Sequence, residues 1–155
     1  MRKEDDKAKI ELDIFRRFAE QIGLSVLPGS IAKGDANAHE PDILYLTTAG
    51  EQRACELMEA CNPEFAELRT SGRKHPSVTH FAWGASSVAK TVRKKTGRRY
   101  SVRFPIDLLV CTDGNTAELG DLVKGQIEVG LSRGRGQFVQ VWLWAGEICE
   151  IGTAT

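Results

Sequence analysis

Glu40-Pro41-Asp42-Ile43-Leu44-Tyr45-Leu46-Thr47 and Arg53-Ala54-Cys55-Glu56-Leu57-Met58-Glu59-Ala60, joined through Ala49-Gly50-Glu51, decide the fold. Each run is short, rich in apolar residues and bounded by a turn former, which predicts a β-hairpin. In a hairpin closed around Ala49-Gly50, Asp42 and Glu56 face the same side of the sheet, within a side chain's reach. Two carboxylates held together in a partly buried place repel each other unless a cation lies between them. Asp42 is therefore either a simple strand-opening residue after Pro41 or half of a working pair. Glu56 is either a paired structural acid or the other half.

Upstream of the hairpin, the periodicity predicts a helix from Asp6 to Ile22, stopped by Gly23. Ile10, Ile14, Phe15, Phe18 and Ile22 fall on one stripe at helical spacing. Glu11 projects into the middle of that stripe, and Glu20 points to the opposite side. A carboxylate facing a core is costly unless it is paired, hydrogen-bonded or close to a cation. A structural and a working role for Glu11 both satisfy that condition. A short strand is expected near Leu24–Leu27 or around Ile31–Lys33.

Downstream, residues 62–82 are broken by Pro63, Gly72 and Pro76 and show no period. A helix is expected over Ser86–Arg99, with Ala85, Val88, Ala89 and Val92 inward. Lys95 and Arg99 lie beside that inner face, while Lys90, Lys94 and Arg98 point to solvent. Pro105–Thr112 is an almost unbroken apolar run, the pattern of a strand covered on both faces. Asn115 with Glu118 resembles a capping box opening a helix whose core stripe is Leu119, Leu122, Val123, Ile127 and Leu131. A basic loop, Ser132–Gly136, leads into the apolar run Phe138–Trp144, expected to be an interior strand. The order α-β-β-β-α-β-α-β implies an α/β fold with a mixed central sheet flanked by helices. Nothing divides the chain, so residues 1–155 are expected to form a single domain.

The net charge is zero, with 21 basic and 21 acidic residues, yet the charges are segregated. Residues 69–103 hold ten Lys or Arg and no Asp or Glu, between two acidic flanks. Such a segment suits an anionic partner such as a phosphate backbone, or is a solvated basic helix. The four cysteines, at 55, 61, 111 and 149, form no CxxC pair and read as buried reduced thiols rather than zinc ligands or disulfides. His39, His75 and His80 show no ligand spacing. No apolar run is long enough for a membrane span, and no apolar core follows the charged N-terminus, so a cytoplasmic protein is expected. Asp107, at the start of a strand, and Trp142 and Trp144 read as structural.

A helix-borne Glu11, then Pro41-Asp42, then Glu56-Leu57-Met58 in the next strand, then helix and strand, resembles the PD-(D/E)XK nuclease superfamily. The resemblance covers residues 7–144 by element order, and Tyr100–Thr112 adds to it. It implies a restriction-endonuclease-like fold and metal-dependent hydrolysis of nucleic-acid phosphodiesters. Asp42 and Glu56, with the Leu57 backbone carbonyl, would then be ligands of Mg²⁺ or Mn²⁺, and Glu11 would bind a metal-bound water or a second ion. Met58 occupies the position of the family's lysine, and a thioether can neither orient nor deprotonate water. Some members carry that lysine on the following helix, which here singles out Lys95, with Arg99 second. The phosphate backbone would meet Lys90, Arg93, Lys94, Lys95, Arg98 and Arg99, together with Arg133 and Arg135. The expected partner is nucleic acid, DNA before RNA, with no membrane. The alternative is a catalytically inactive relative that binds nucleic acid, a protein subunit or a second copy of itself.

Overall fold

A computed structural model describes residues 2–60, 88–112 and 117–152. Helix α1 runs Arg2–Gln21. It stops where Gly23 takes a left-handed φ of 68°, a conformation that glycine adopts without penalty. There the Gly23 N–H donates to the Glu20 carbonyl and the Leu24 N–H to the Ala19 carbonyl, closing the orphan carbonyls of the last turn. Phe15 and Phe18 are buried as the stripe requires, and so is Glu11. Ile10 departs from it: at 57% exposure it stands at the rim of a cleft rather than in the core.

The sheet has six strands in sequence order. Strand β1 (Ala32–Lys33) pairs antiparallel with β2 (Ile43–Leu46), and β2 pairs antiparallel with β3 (Gln52–Glu59). The expected early strand is thus the later of its two candidate positions; Val26 makes only an isolated bridge to Thr47. Helix α2, described over residues 88–96, precedes β4 (Ile106–Cys111), which is parallel to β3. Helix α3 (Ala117–Gly130) precedes β5 (Phe138–Ala145), which is parallel to β4. A last strand, β6 (Glu147–Glu150), turns back antiparallel on β5 through Gly146, where φ is 78°.

The expected order therefore holds through β5, and β6 is an addition. The α2 helix is shorter at its C-terminal end than Arg99, because Gly97 is a poor helix former and the chain turns there. Cys55 is buried, as expected, but Cys111 is only partly buried and Cys149 is exposed, because β6 lies at the sheet edge; none of the three is in a disulfide. The 62–82 stretch, Ala85, Cys61, His75, His80 and the Asn115–Glu118 cap lie outside the described residues.

Strand alternation separates two apolar layers. On one face Ile43, Tyr45, Cys55 and Leu109 pack against Phe15, Phe18 and Ala19 of α1. On the other, Ala54, Met58, Leu108 and Val110 pack against Val88 and Val92 of α2 and Val123 and Ile127 of α3. The sheet is thus covered on both sides, one helix against two, and Ile106, Leu108, Leu109 and Val110 are fully buried. Among the described residues no helix is long and apolar enough to cross a membrane.

Asp107 takes the structural role expected of it. It is buried on the α1 face, accepting from the Trp142 indole N–H at 3.2 Å and from Arg53 at 3.5 Å. Burial pushes its carboxyl above the ordinary aspartate range, while the Trp142 hydrogen bond and the Arg53 charge pull the other way. A carboxyl raised in the folded state binds a proton that the unfolded chain has released, so stability falls as pH climbs from the unfolded value toward the folded one. Urea unfolding across pH should therefore show the native protein losing stability relative to Asp107→Asn as pH rises above 3.8. A stability difference that does not change with pH would contradict this.

Candidate functional site

The hairpin register sets Ile43 against Cys55, which brings Asp42 opposite Glu56. The two residues clasp each other through the backbone. The Asp42 N–H donates to Glu56 Oε1 at 2.9 Å, and the Leu57 N–H donates to Asp42 Oδ2 at 2.9 Å. Each carboxylate is left with one oxygen for something else. Glu56 is 3% exposed, so its free oxygen cannot rely on bulk water.

Three donors converge on that oxygen. Glu56 Oε2 accepts from Lys95 Nζ at 3.0 Å, from the Tyr100 hydroxyl at 3.0 Å and from an Arg98 guanidinium nitrogen at 3.4 Å. Lys95 reaches inward from the last turn of α2. Arg98 departs from expectation: the turn after α2 swings it back to Glu56, although its side chain remains half-exposed. Tyr100 is fixed from behind. Its backbone N–H donates to Gln137 Oε1 at 2.7 Å, and its ring lies 5.7 Å from that of Phe138.

On the other side of the pair, Lys33 Nζ lies 3.3 Å from Glu11 Oε1 and 3.8 Å from Asp42 Oδ1. That contact answers how Glu11 tolerates its inward position. Burial and then the Asp42 charge raise the Glu11 carboxyl above its ordinary range, and Lys33 opposes them. Glu56 is raised by burial and then by Asp42, against the pull of Lys95. Burial and then Glu56 raise the Tyr100 hydroxyl, which keeps it a donor.

Glu11, Asp42, Glu56 and Lys95 are thus brought together along one cleft of about 800 Å³, walled by α1, β3 and α2. A second, smaller cavity of about 280 Å³ adjoins it and shares Asp42, Glu56 and Arg98. Met58 is buried in the layer under α2 and offers no charge. Lys90, Arg93, Lys94, Arg99 and Arg133 are exposed. Arg135 is committed elsewhere, donating to the Ile151 and Gly152 carbonyls at 3.1 and 2.8 Å. Lys33 and Tyr100 were not anticipated. The one available signal for Lys33 was its place in a candidate strand next to an unpaired inward acid.

Among the described residues no group of three or more His, Cys, Asp or Glu is arranged to hold a metal ion. The donors present are an oxygen-only pair of carboxylates that repel each other. That set fits a hard ion such as Mg²⁺, which commonly takes one or two carboxylates and fills its other positions with water or phosphate oxygen. Comparison with protein-family models, with curated proteins and with solved structures found no match.

The site depends on a close approach at Gly34. Its N–H donates to the Asp42 carbonyl at 2.9 Å, and a Cβ there would lie 1.8 Å from the Pro41 carbonyl oxygen. Gly34→Ala should force β1 away from Asp42 and cost roughly 1–3 kcal/mol, the usual range for overpacking. Urea unfolding of the variant checks this, and an unchanged midpoint would show that the loop yields freely.

Proposed function

We propose that the chain is a metal-dependent, nuclease-like phosphodiesterase of restriction-endonuclease-like fold, in which Lys95 takes the place of the lysine that Met58 displaces. The observation that carries this is the 3.0 Å approach of Lys95 to Glu56, from the helix that follows the acid-bearing strand. A cation delivered to the acid pair from α2 is what the PD-(D/E)XK resemblance requires once position 58 is apolar. The strand pairing supports the same fold: antiparallel from β1 to β3, then parallel through β4 and β5.

Asp42 and Glu56, with the Leu57 carbonyl, would hold Mg²⁺ or Mn²⁺. Such an ion, when bound, polarises a phosphoryl oxygen and lowers the pKa of a bound water for attack on phosphorus. Lys95 orients the attacking water and offsets the negative charge that gathers on the phosphoryl oxygens. Lys33 keeps Glu11 and Asp42 from repelling each other, and Glu11 accepts a hydrogen bond from water in the cleft. The exposed Lys90, Arg93, Lys94, Arg99 and Arg133 bind the phosphate backbone, DNA in the first instance, with a strong dependence on salt.

A second reading is favoured by the same network. Lys95, Arg98 and Tyr100 already satisfy Glu56 without an ion, as suits an inactive relative kept for binding. Cleavage of supercoiled plasmid in Mn²⁺ separates the two. The active protein should nick the plasmid, Glu56→Gln should not, and Lys95→Met should be slower by roughly 10²–10³-fold, the scale of removing one charge-stabilising donor. Salt-dependent binding with no cleavage by the unaltered protein would establish the second reading.

A further inference from the structure

The smaller cavity has a composition of its own. It lies between the 3-10 turn Ala36–Ala38 and the segment after α2, and its wall includes His39, Arg98, Arg99 and Tyr100. The turn is built to present His39. Asp35 caps it by accepting from the Asn37 N–H at 2.9 Å, and the Asp35 N–H donates to Glu40 Oε1 at 2.8 Å. His39 itself adopts the left-handed backbone, with φ of 58°, and is the one non-glycine residue with positive φ among the described residues. A non-glycine residue holds that conformation at a cost, where its surroundings fix it. Here the His39 N–H donates to the Ala36 carbonyl at 3.1 Å, and the Ser101 N–H donates to the His39 carbonyl at 2.9 Å. The second bond ties the turn to the opposite wall, so the cavity is preformed.

The charged groups on that wall divide into used and unused. Glu56 is met by Lys95, Arg98 and Tyr100, Asp42 by Leu57 and Lys33, and Glu40 by the Asp35 backbone. Among the described residues, no hydrogen bond or ion pair engages the His39 imidazole or the Arg99 guanidinium. The two groups left for a ligand are thus an aromatic ring and a cation, beside an acid pair shared with the larger cleft.

We infer that this cavity is a single-nucleotide subsite, receiving one unpaired nucleotide with its base against His39 and its phosphate on Arg99. Its volume of about 280 Å³ gives room for a group of the size of one nucleotide. A flat ring with a neighbouring Arg is the pairing by which proteins hold unstacked bases. The strand continues past Asp42 and Glu56 into the larger cleft, so the preferred substrate is single-stranded nucleic acid or an unpaired end. This subsite rests on the nuclease-like reading for the meaning of the acid pair, but not on cleavage.

The test is fluorescence anisotropy without divalent metal, comparing a labelled 12-nucleotide single-stranded DNA with the duplex of the same sequence. The full chain is measured beside His39→Ala, Arg99→Ala and, as a surface control on α1 away from both cavities, Arg16→Ala. His39 and Arg99 are exposed, and a thermal melt of each variant checks that it folds. The single strand should bind more tightly than the duplex. His39→Ala and Arg99→Ala should each weaken it by about tenfold, within the range for one base–aromatic or backbone contact, and Arg16→Ala should leave single-strand binding unchanged. Equal or tighter duplex binding, or variants that bind the single strand as the native protein does, would overturn the subsite while leaving the metal-dependent reading intact. Single-strand preference in a protein that cleaves nothing would support the subsite and overturn only the catalytic reading. Absence of binding to either DNA would overturn the subsite.

Discussion

A buried carboxylate is the constraint on which the rest of the site depends. Glu56 lies inside a sheet covered on both faces, and the desolvation of such a group costs several kcal/mol unless its oxygens are met. One oxygen is met by the backbone of the strand it pairs with, through the Asp42 N–H. The other is met by donors on the segment that leads from α2 to β4. The hairpin register, the inward end of α2 and the rigid seat of Tyr100 on Gln137 and Phe138 can each be read as consequences of housing that one charge.

A second consequence is crowding of like charge. Asp42 is drawn next to Glu56 by the hairpin, and Glu11 is drawn toward Asp42 by the packing of α1. After burial, the Asp42 charge raises the proton affinity of both Glu11 and Glu56. The chain answers with Lys33 on one side and Lys95 on the other, so the cleft holds acids and bases in alternation. A site of that kind is internally balanced in the absence of ligand. Arrangements of this sort cluster at functional sites, although structural ion-pair networks produce them too.

Much of the fold was legible because the signals were local. Gly23 stops α1, Gly50 turns the hairpin, and the unbroken apolar run at Ile106–Val110 marks a strand with no solvent face. Strand β6 was not legible, because four residues with two glutamates alternate too briefly to stand out and an edge strand needs no apolar face. Among the residues that line the cleft, the inward direction of Glu11 and the shared side of Asp42 and Glu56 could be read from helical and strand phase, whereas Lys95 was singled out by the family resemblance. Lys33 and Tyr100 could not, since nothing in their own segments says that a carboxylate lies opposite. Arg98 was misplaced for a related reason: its direction is set by the turn at Gly97, and extending the helix through it points it at solvent.

Asp42 and Glu56 together are the proposed site of a divalent ion. Isothermal titration of Mn²⁺ into the native protein, beside Asp42→Ala and Glu56→Ala, tests it most directly. The expected result is binding heat in the native protein that disappears in both variants while all three remain folded. A native protein that takes up no Mn²⁺, or variants that bind it as well as the native chain does, would contradict the claim and leave a carboxylate network that serves the fold alone.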